Sequence, residues 1–170
     1  ITDFTKAMSG FVRRCRKKNL SSESLDKLIG AHTSCTKAEN LFLQVGQWIY
    51  SGYCQRLVAN EKEDFDGLMW RAVGRVRNGE TRFVRDKGRE CGDVGKLRFV
   101  LVDEFQDFSE VFYKLVSAIQ SRNSQVQFFC VGDDWQAING FAGSDLSYFE
   151  DFNDYFENAT KHTISTNYRS

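Results

Sequence analysis

Apolar positions recur at helical spacing through the first part of the chain. Phe4, Ala7, Met8, Phe11, Val12 and Cys15 share one face, which predicts an amphipathic helix over residues 3–18. Its end carries the cluster Arg13, Arg14, Arg16, Lys17 and Lys18. Cations suit a helix C-terminus, so the cluster reads either as a charged helix end or as a phosphate contact. A short helix is expected over 22–30. "TKAE" at 36–39 is a capping-box pattern, with a Thr able to cap and a Glu three residues later. The long helix it opens carries Leu41, Phe42, Val45, Trp48, Ile49, Tyr53 and Leu57 and runs toward Asn60. Asp64 is placed to cap a fourth helix, with Phe65, Leu68, Met69, Ala72, Val73 and Val76 inward and Asn78-Gly79 at its end.

The pattern then changes. Residues 79–96 are polar, charged and glycine-containing, and are expected to form a loop. "RFVLVD" (98–103) and "VQFFCV" (126–131) are short continuous apolar runs, as in strands covered on both faces. Between them "SEVFYKLVSAIQ" predicts a helix from Ser109, with Val111, Phe112, Leu115, Val116 and Ile119 inward. Strand, helix, strand implies a parallel pair with a right-handed crossover. A helix near 145–156 and a strand near 162–166 would continue the series. The fold class is α/β with a parallel sheet, preceded by an all-helical region.

Composition narrows this little. The 170 residues suffice for one domain or one and a half. No apolar run reaches membrane-span length and no signal peptide is visible, so an intracellular, cytoplasmic chain with no membrane partner is expected. The five scattered cysteines lack any CxxC pair or a His at ligand spacing, which argues for reduced thiols and against zinc. Proline is absent where ordinary usage would give roughly eight. The zero net charge hides an asymmetry: residues 1–102 carry 19 basic and 12 acidic side chains, and residues 103–157 carry 2 and 11. A basic front half is compatible with a polyanionic partner.

In open parallel sheets, ligands bind beyond the carboxyl ends of the strands. Asp103-Glu104 follows the first strand, Gly132-Asp133-Asp134 the second, and Asn167, Tyr168 and Arg169 the third candidate. Carboxylates, the Gln136 amide and a guanidinium would then surround one crevice. Such a set fits phosphoryl transfer. Magnesium takes one or two carboxylates plus water and phosphate oxygens, a second carboxylate orients the attacking water, and an arginine neutralises developing charge. His32 and His162 lack any nucleophile context and read as structural. "CGDVGKLRFV" offers Gly95-Lys96, but Leu97 follows, and the stretch precedes a strand where a phosphate-binding loop would follow one.

"LVDEFQD", "VGDDWQAINGFAGS" and "TNYRS" resemble motifs II, III and IV of UvrD/Rep-type superfamily 1 DNA helicases, in the right order. The pairing of "DEFQDFS" with "VGDDWQAI" is most similar to the DNA helicase IV branch, and "DFDGLMWRAV" is similar to the acidic-aromatic helix those proteins place before the motif II strand. The resemblance covers Asp64 to Ser170. It implies a partial RecA-like P-loop NTPase domain. Residues 1–62 would be the end of an inserted helical subdomain, and 63–170 the second half of motor domain 1A.

The resemblance assigns roles residue by residue. Asp103 and Glu104 match the magnesium-associated and water-activating acids. Gln136 matches the glutamine that senses the γ-phosphate, and Arg169 the arginine that contacts it. Tyr168 matches the tyrosine that stacks on adenine, while Gln106 and Asp107 match positions supporting the nucleotide network. Phe141 stands where a single-stranded base stacks. Asn139 and Ala142 depart from the aromatic and basic residues common at their positions, which bears on how Asn139 and Phe141 would hold DNA. Trp135 is expected to pack. The resemblance thus implies ATP and Mg2+ as cofactors and single-stranded or partly duplex DNA as partner, with the 3′-to-5′ polarity implied by the family alone. It also implies a Walker A segment upstream, and motifs V and VI on a second motor domain downstream, so the 170 residues alone would not hydrolyse ATP. The readings weighed against it are a non-catalytic DNA-binding or interaction module that keeps the fold, and a magnesium-dependent nuclease, which lacks a lysine at nuclease-like spacing.

Overall fold

A computed structural model describes residues 2–137 and 144–166. Four helices open the chain: α1 (Thr2–Lys17), α2 (Ser22–Ala31), α3 (Lys37–Ala59) and α4 (Phe65–Arg77). Each start after the first follows from its cap. Ser21 Oγ accepts the Ser24 amide, Thr36 Oγ1 accepts the Glu39 amide at 3.1 Å, and Asp64 Oδ1 accepts the Gly67 amide at 2.7 Å. The Glu39 carboxylate reaches back to the Cys35 amide at 2.7 Å, one residue before the N-cap, a variant of the expected capping box. Cys15, Leu25 and the fully enclosed Tyr50 form the core of this region. A Cβ on Gly46 would lie 2.9 Å from Phe11 Cε1, so glycine is what lets α1 and α3 approach here.

One carboxylate ties α1 to α4. Arg16 donates to Asp64 through Nε at 2.7 Å and Nη2 at 2.8 Å, and the Tyr53 hydroxyl donates to Asp64 Oδ2 at 2.8 Å. The Trp70 indole also donates to the Lys17 carbonyl at 3.1 Å. Asp64 is thus cap, ion-pair partner and hydrogen-bond acceptor at once. The Arg16 hydrogen bonds, with the Gly67 amide and Tyr53, hold its carboxyl below its ordinary value of 3.8, at about 2, against the opposing effect of burial.

The inward face predicted for α4 is corrected in part. Val73 and Val76 are buried, whereas Phe65 is 66% exposed and Leu68 is also exposed. Helical spacing marks an apolar stripe without saying how far along it a partner extends. The predicted loop is corrected too. It holds an antiparallel hairpin, β1 (Arg82–Val84) with β2 (Glu90–Asp93), turning through left-handed Lys87 and Gly88. Its strands are short and mostly exposed, so no apolar alternation announces them.

β3 (Phe99–Val102) and β4 (Gln127–Cys130) pair in parallel, with Val102 opposite Cys130, joined through α5 (Glu110–Arg122) as expected for strand–helix–strand. α5 lies on α4, and Arg122 donates to the carbonyls of Val76 and Arg77 at the α4 C-terminus. One core joins Val76, Val94, Ala118, Ile119 and Val126; another joins Phe105, Phe108, Val116, Tyr148 and Phe156. The strands are not covered on both faces among the described residues, because Phe99, Leu101 and Phe129 are exposed. The expected helix over 145–156 is two single turns, α6 (Ser147–Glu150) and α7 (Phe152–Tyr155). Residues 162–166 form no strand, and the described parallel sheet has two strands. No described helix is long and apolar enough to cross a membrane.

Asp64→Ala should cost roughly 2–3 kcal/mol in urea unfolding, since it removes a cap and leaves Arg16 and Tyr53 without an acceptor. Because the folded carboxyl lies below its unfolded value, its contribution is complete above pH 3.8 and is lost as pH falls through about 2. Unfolding free energy should therefore drop over that interval in the parent chain and drop less in Asp64→Ala.

Candidate functional site

β3 and β4 end side by side, and the backbone continues their pairing. Val131 donates to Val102 O and Phe105 donates back to Val131 O, both at 2.8 Å. At this point the chain after β3 bends sharply. Glu104 takes φ 53° and ψ 43°, and Phe105–Asp107 form a 3-10 turn. The left-handed backbone at a non-glycine residue is strained by about 1–2 kcal/mol. The Asp103 carboxylate accepts the Glu104 amide at 2.9 Å, which supports the bend. Phe105 anchors it from below, stacked on Phe108 at 4.4 Å and edge-on to Phe152 at 5.3 Å.

A chain of polar contacts crosses the two strand ends. Gln106, 3% exposed, donates through Nε2 to the Glu104 carboxylate and accepts the Asp133 amide on Oε1 at 3.0 Å. Asp133 Oδ2 accepts from Gln136 Nε2 at 2.7 Å, and Asp133 Oδ1 accepts the Trp135 amide at 3.1 Å. Glu104, Gln106, Asp133 and Gln136 are therefore linked without a break. Gly132 makes room for this: a Cβ there would lie 2.8 Å from Gln106 Oε1 and 3.0 Å from both the Gln106 nitrogen and Phe149 Cε2.

Asp103 and Glu104 are exposed at the site, Asp107 is half-buried with its amide on the Glu104 carbonyl at 2.8 Å, and Gln136 is exposed on a 3-10 turn (Asp134–Gln136). Asn139, Phe141, Tyr168 and Arg169, with Ala142, lie outside the described residues. Trp135, expected to pack, is 93% exposed instead, with its amide donating to Asp133 Oδ1. Sequence reasoning missed the structural parts of Gly132 and Asp133; the signal available was a glycine followed by an acid directly after an apolar strand. Gly95-Lys96 lies on a 3-10 turn before β3, with the Gly95 amide bound to Asp93 at 2.9 Å. Among the described residues no group of three or more His, Cys, Asp or Glu could hold a metal. Asp103 and Glu104 still offer hard oxygen donors of the kind magnesium takes when phosphate and water complete its shell.

Residues 2–157 match the UvrD/REP helicase N-terminal domain, and the chain belongs to that family. Its relatives include DNA helicase IV of Escherichia coli (strain K12), 35% identical over 113 residues, covering 66% of this chain and 15% of that protein. The putative ATP-dependent DNA helicase YjcD of Bacillus subtilis (strain 168) is 37% identical over 75 residues, covering 44% of this chain and 10% of that protein. ATP-dependent DNA helicase PcrA of Staphylococcus aureus (strain Mu50 / ATCC 700699) is 28% identical over 136 residues, covering 79% and 17%. The chain thus spans between a tenth and a fifth of the length of these relatives.

Gly132→Ala should push the Gln106 side chain out of its bridge. The expected result is a loss of roughly 1–3 kcal/mol in denaturant unfolding, as for overpacking, with displaced Gln106 side-chain amide resonances. Unchanged resonances would show that the bridge does not depend on this glycine.

Proposed function

We propose that this chain is part of an ATP-dependent DNA helicase or translocase, within a RecA-like motor domain, in which Mg-ATP hydrolysis drives movement along single-stranded DNA with 3′-to-5′ polarity. The observation that carries the reading is the unbroken contact chain from Glu104 through Gln106 and Asp133 to Gln136. It supports the motif II and motif III assignments and the likeness to the DNA helicase IV branch, and the named relatives agree with ATP use and DNA as substrate. In this reading residues 1–62 close an inserted helical subdomain and 63–170 form the second half of the motor domain. The exposed Phe99, Leu101 and Phe129 fit a sheet whose outer layer comes from residues beyond these 170.

The residues divide the work. Mg2+, when bound with ATP, supplies charge neutralisation at the β- and γ-phosphates. Asp103 would hold it, with Glu104 adjacent. The Glu104 carboxylate accepts a proton from the attacking water, and Gln106 fixes that carboxylate's orientation from a buried position. Gln136, tied to Asp133, gives a contact beside the γ-phosphate a route through Gln106 back to Glu104. Asp107 supports the turn, Arg169 neutralises the transferred phosphoryl group, and Tyr168 stacks on adenine. Phe141 and Asn139 meet the DNA strand, where a stacked base is worth roughly 1–3 kcal/mol. A cytoplasmic, nucleoid-associated location follows from DNA as substrate.

The test uses the protein encoded by the full-length reading frame. DNA-stimulated ATP hydrolysis is expected, with Glu104→Gln lowering kcat by about a hundredfold or more and leaving ATP binding in place. No ATPase in the full-length protein would overturn the helicase reading and leave a DNA-binding module. The 170 residues contain no GxxxxGK[ST] loop, so the chain by itself should show no measurable rate; a DNA-stimulated rate abolished by Glu104→Gln would refute that part alone.

A further inference from the structure

The β1–β2 hairpin is rooted in the fold but projects from it. At its base the Val94 amide donates to the Thr81 carbonyl at 2.9 Å, and the Val94 side chain is buried in the core with Val76 and Ile119. Above that base, Arg82, Phe83 and Val84 of β1 and Glu90 and Cys91 of β2 are all exposed. The hairpin precedes β3, whereas the contact chain of the candidate site follows the other end of that strand. No hairpin residue takes part in that chain.

Two features of the hairpin work against its own stability. The first is like charge. The Arg85 amide donates to the Arg89 carbonyl at 2.9 Å and the Gly88 amide to the Arg85 carbonyl at 3.1 Å, with Lys87 left-handed at φ 72°. Arg85, Lys87 and Arg89 are thereby gathered at one tip, where the sequence supplies Asp86 as the single acid. All three cations are exposed, and none forms a salt bridge among the described residues. The acids of β2 face another cation, since Arg82 Nε lies 3.9 Å from both Glu90 and Asp93. Like charges opposed across a strand pair weaken it.

The second feature is an exposed aromatic. Phe83 is 50% and Val84 63% exposed. β2 carries one extra residue, Cys91, between the partners of Phe83 and Val84, and this irregularity interrupts the ladder. Gly92 faces Phe83, and a Cβ there would lie 3.2 Å from Phe83 Cδ2, so the ring is seated against β2. Cations alone would be explained as guards that keep an exposed strand from pairing with another chain. An exposed phenylalanine and valine beside them undo that protection. Cations that draw a polyanion, next to a seated ring that can take a planar base, are the two parts of a single-strand site.

We propose that the β1–β2 hairpin binds a single nucleic acid strand, with Arg85, Lys87 and Arg89 on its phosphates and Phe83 stacked on a base. The proposal rests on the reading of DNA as substrate for the class of strand, and adds a contact apart from the nucleotide site.

The ¹⁵N-labelled chain would be titrated without nucleotide, in one arm with a short thymidine strand and in another with polyglutamate of matched charge. Saturable shifts of the Phe83, Val84, Lys87 and Gly88 amides are expected with the strand alone. Phe83→Ala should weaken that binding by about tenfold. Alanine at 85, 87 and 89 together should reduce the slope of log affinity against log salt by about 2, at about 0.7 per phosphate neutralised. The triple variant should melt no lower than the parent chain, because it relieves the crowded tip. Hairpin amides that stay still with the strand, or strand binding that both variants leave unchanged, overturn the proposal. Equal shifts with polyglutamate overturn it in favour of an acidic protein partner. DNA-stimulated ATPase in the full-length protein beside a silent hairpin would sink this contact alone, whereas hairpin shifts without ATPase would leave it standing.

Discussion

The buried amide of Gln106 holds the two strand ends in one register. Its oxygen takes the Asp133 amide and its nitrogen meets Glu104, so each end of the group is already committed. A buried amide that lost either partner would carry the full penalty of an unsatisfied group, and this is what makes the arrangement specific. The parallel pairing of β3 with β4 brings the ends close; the amide decides how they face. Gly132 admits it and Phe105 seats it, so packing and polar geometry converge on a single side chain.

The helical region is attached by a different device. Asp64 joins α1, α3 and α4 through Arg16, Tyr53 and its own helix cap. The basic end of α1 is thereby divided. Arg16 is consumed in holding the fold, while Arg13 and Lys17 line a cavity together with Phe65 and Asp66 of α4. Three cations of a run of five that looked uniform along the chain thus have two separate structural fates.

What was legible depended on where the signal lay. Two helix starts were readable because a cap is a local event: Thr36 and Asp64 each act within three residues. The β3–α5–β4 unit was readable because its apolar runs are continuous. The β1–β2 hairpin was not, since exposed strands of three and four residues carry no alternation to detect. The exposure of Phe65 and Leu68 was hidden for the opposite reason: periodicity reports an apolar stripe, and only tertiary contact decides which part of it is covered. At the site, the acids after each strand could be found from spacing. The Gln106 bridge could not, because it joins residues 27 positions apart in sequence.

Glu104 sits in a backbone conformation that glycine or asparagine would occupy with less strain. Its carboxylate is at the mouth of the site, so the residue that the proposed chemistry asks for is not the residue that local conformation prefers. A library of this chain sorted only for thermal resistance would therefore tend to enrich glycine or asparagine at 104. Under the proposed role of Glu104, thermostability and turnover are set in opposition at that one pair of dihedral angles.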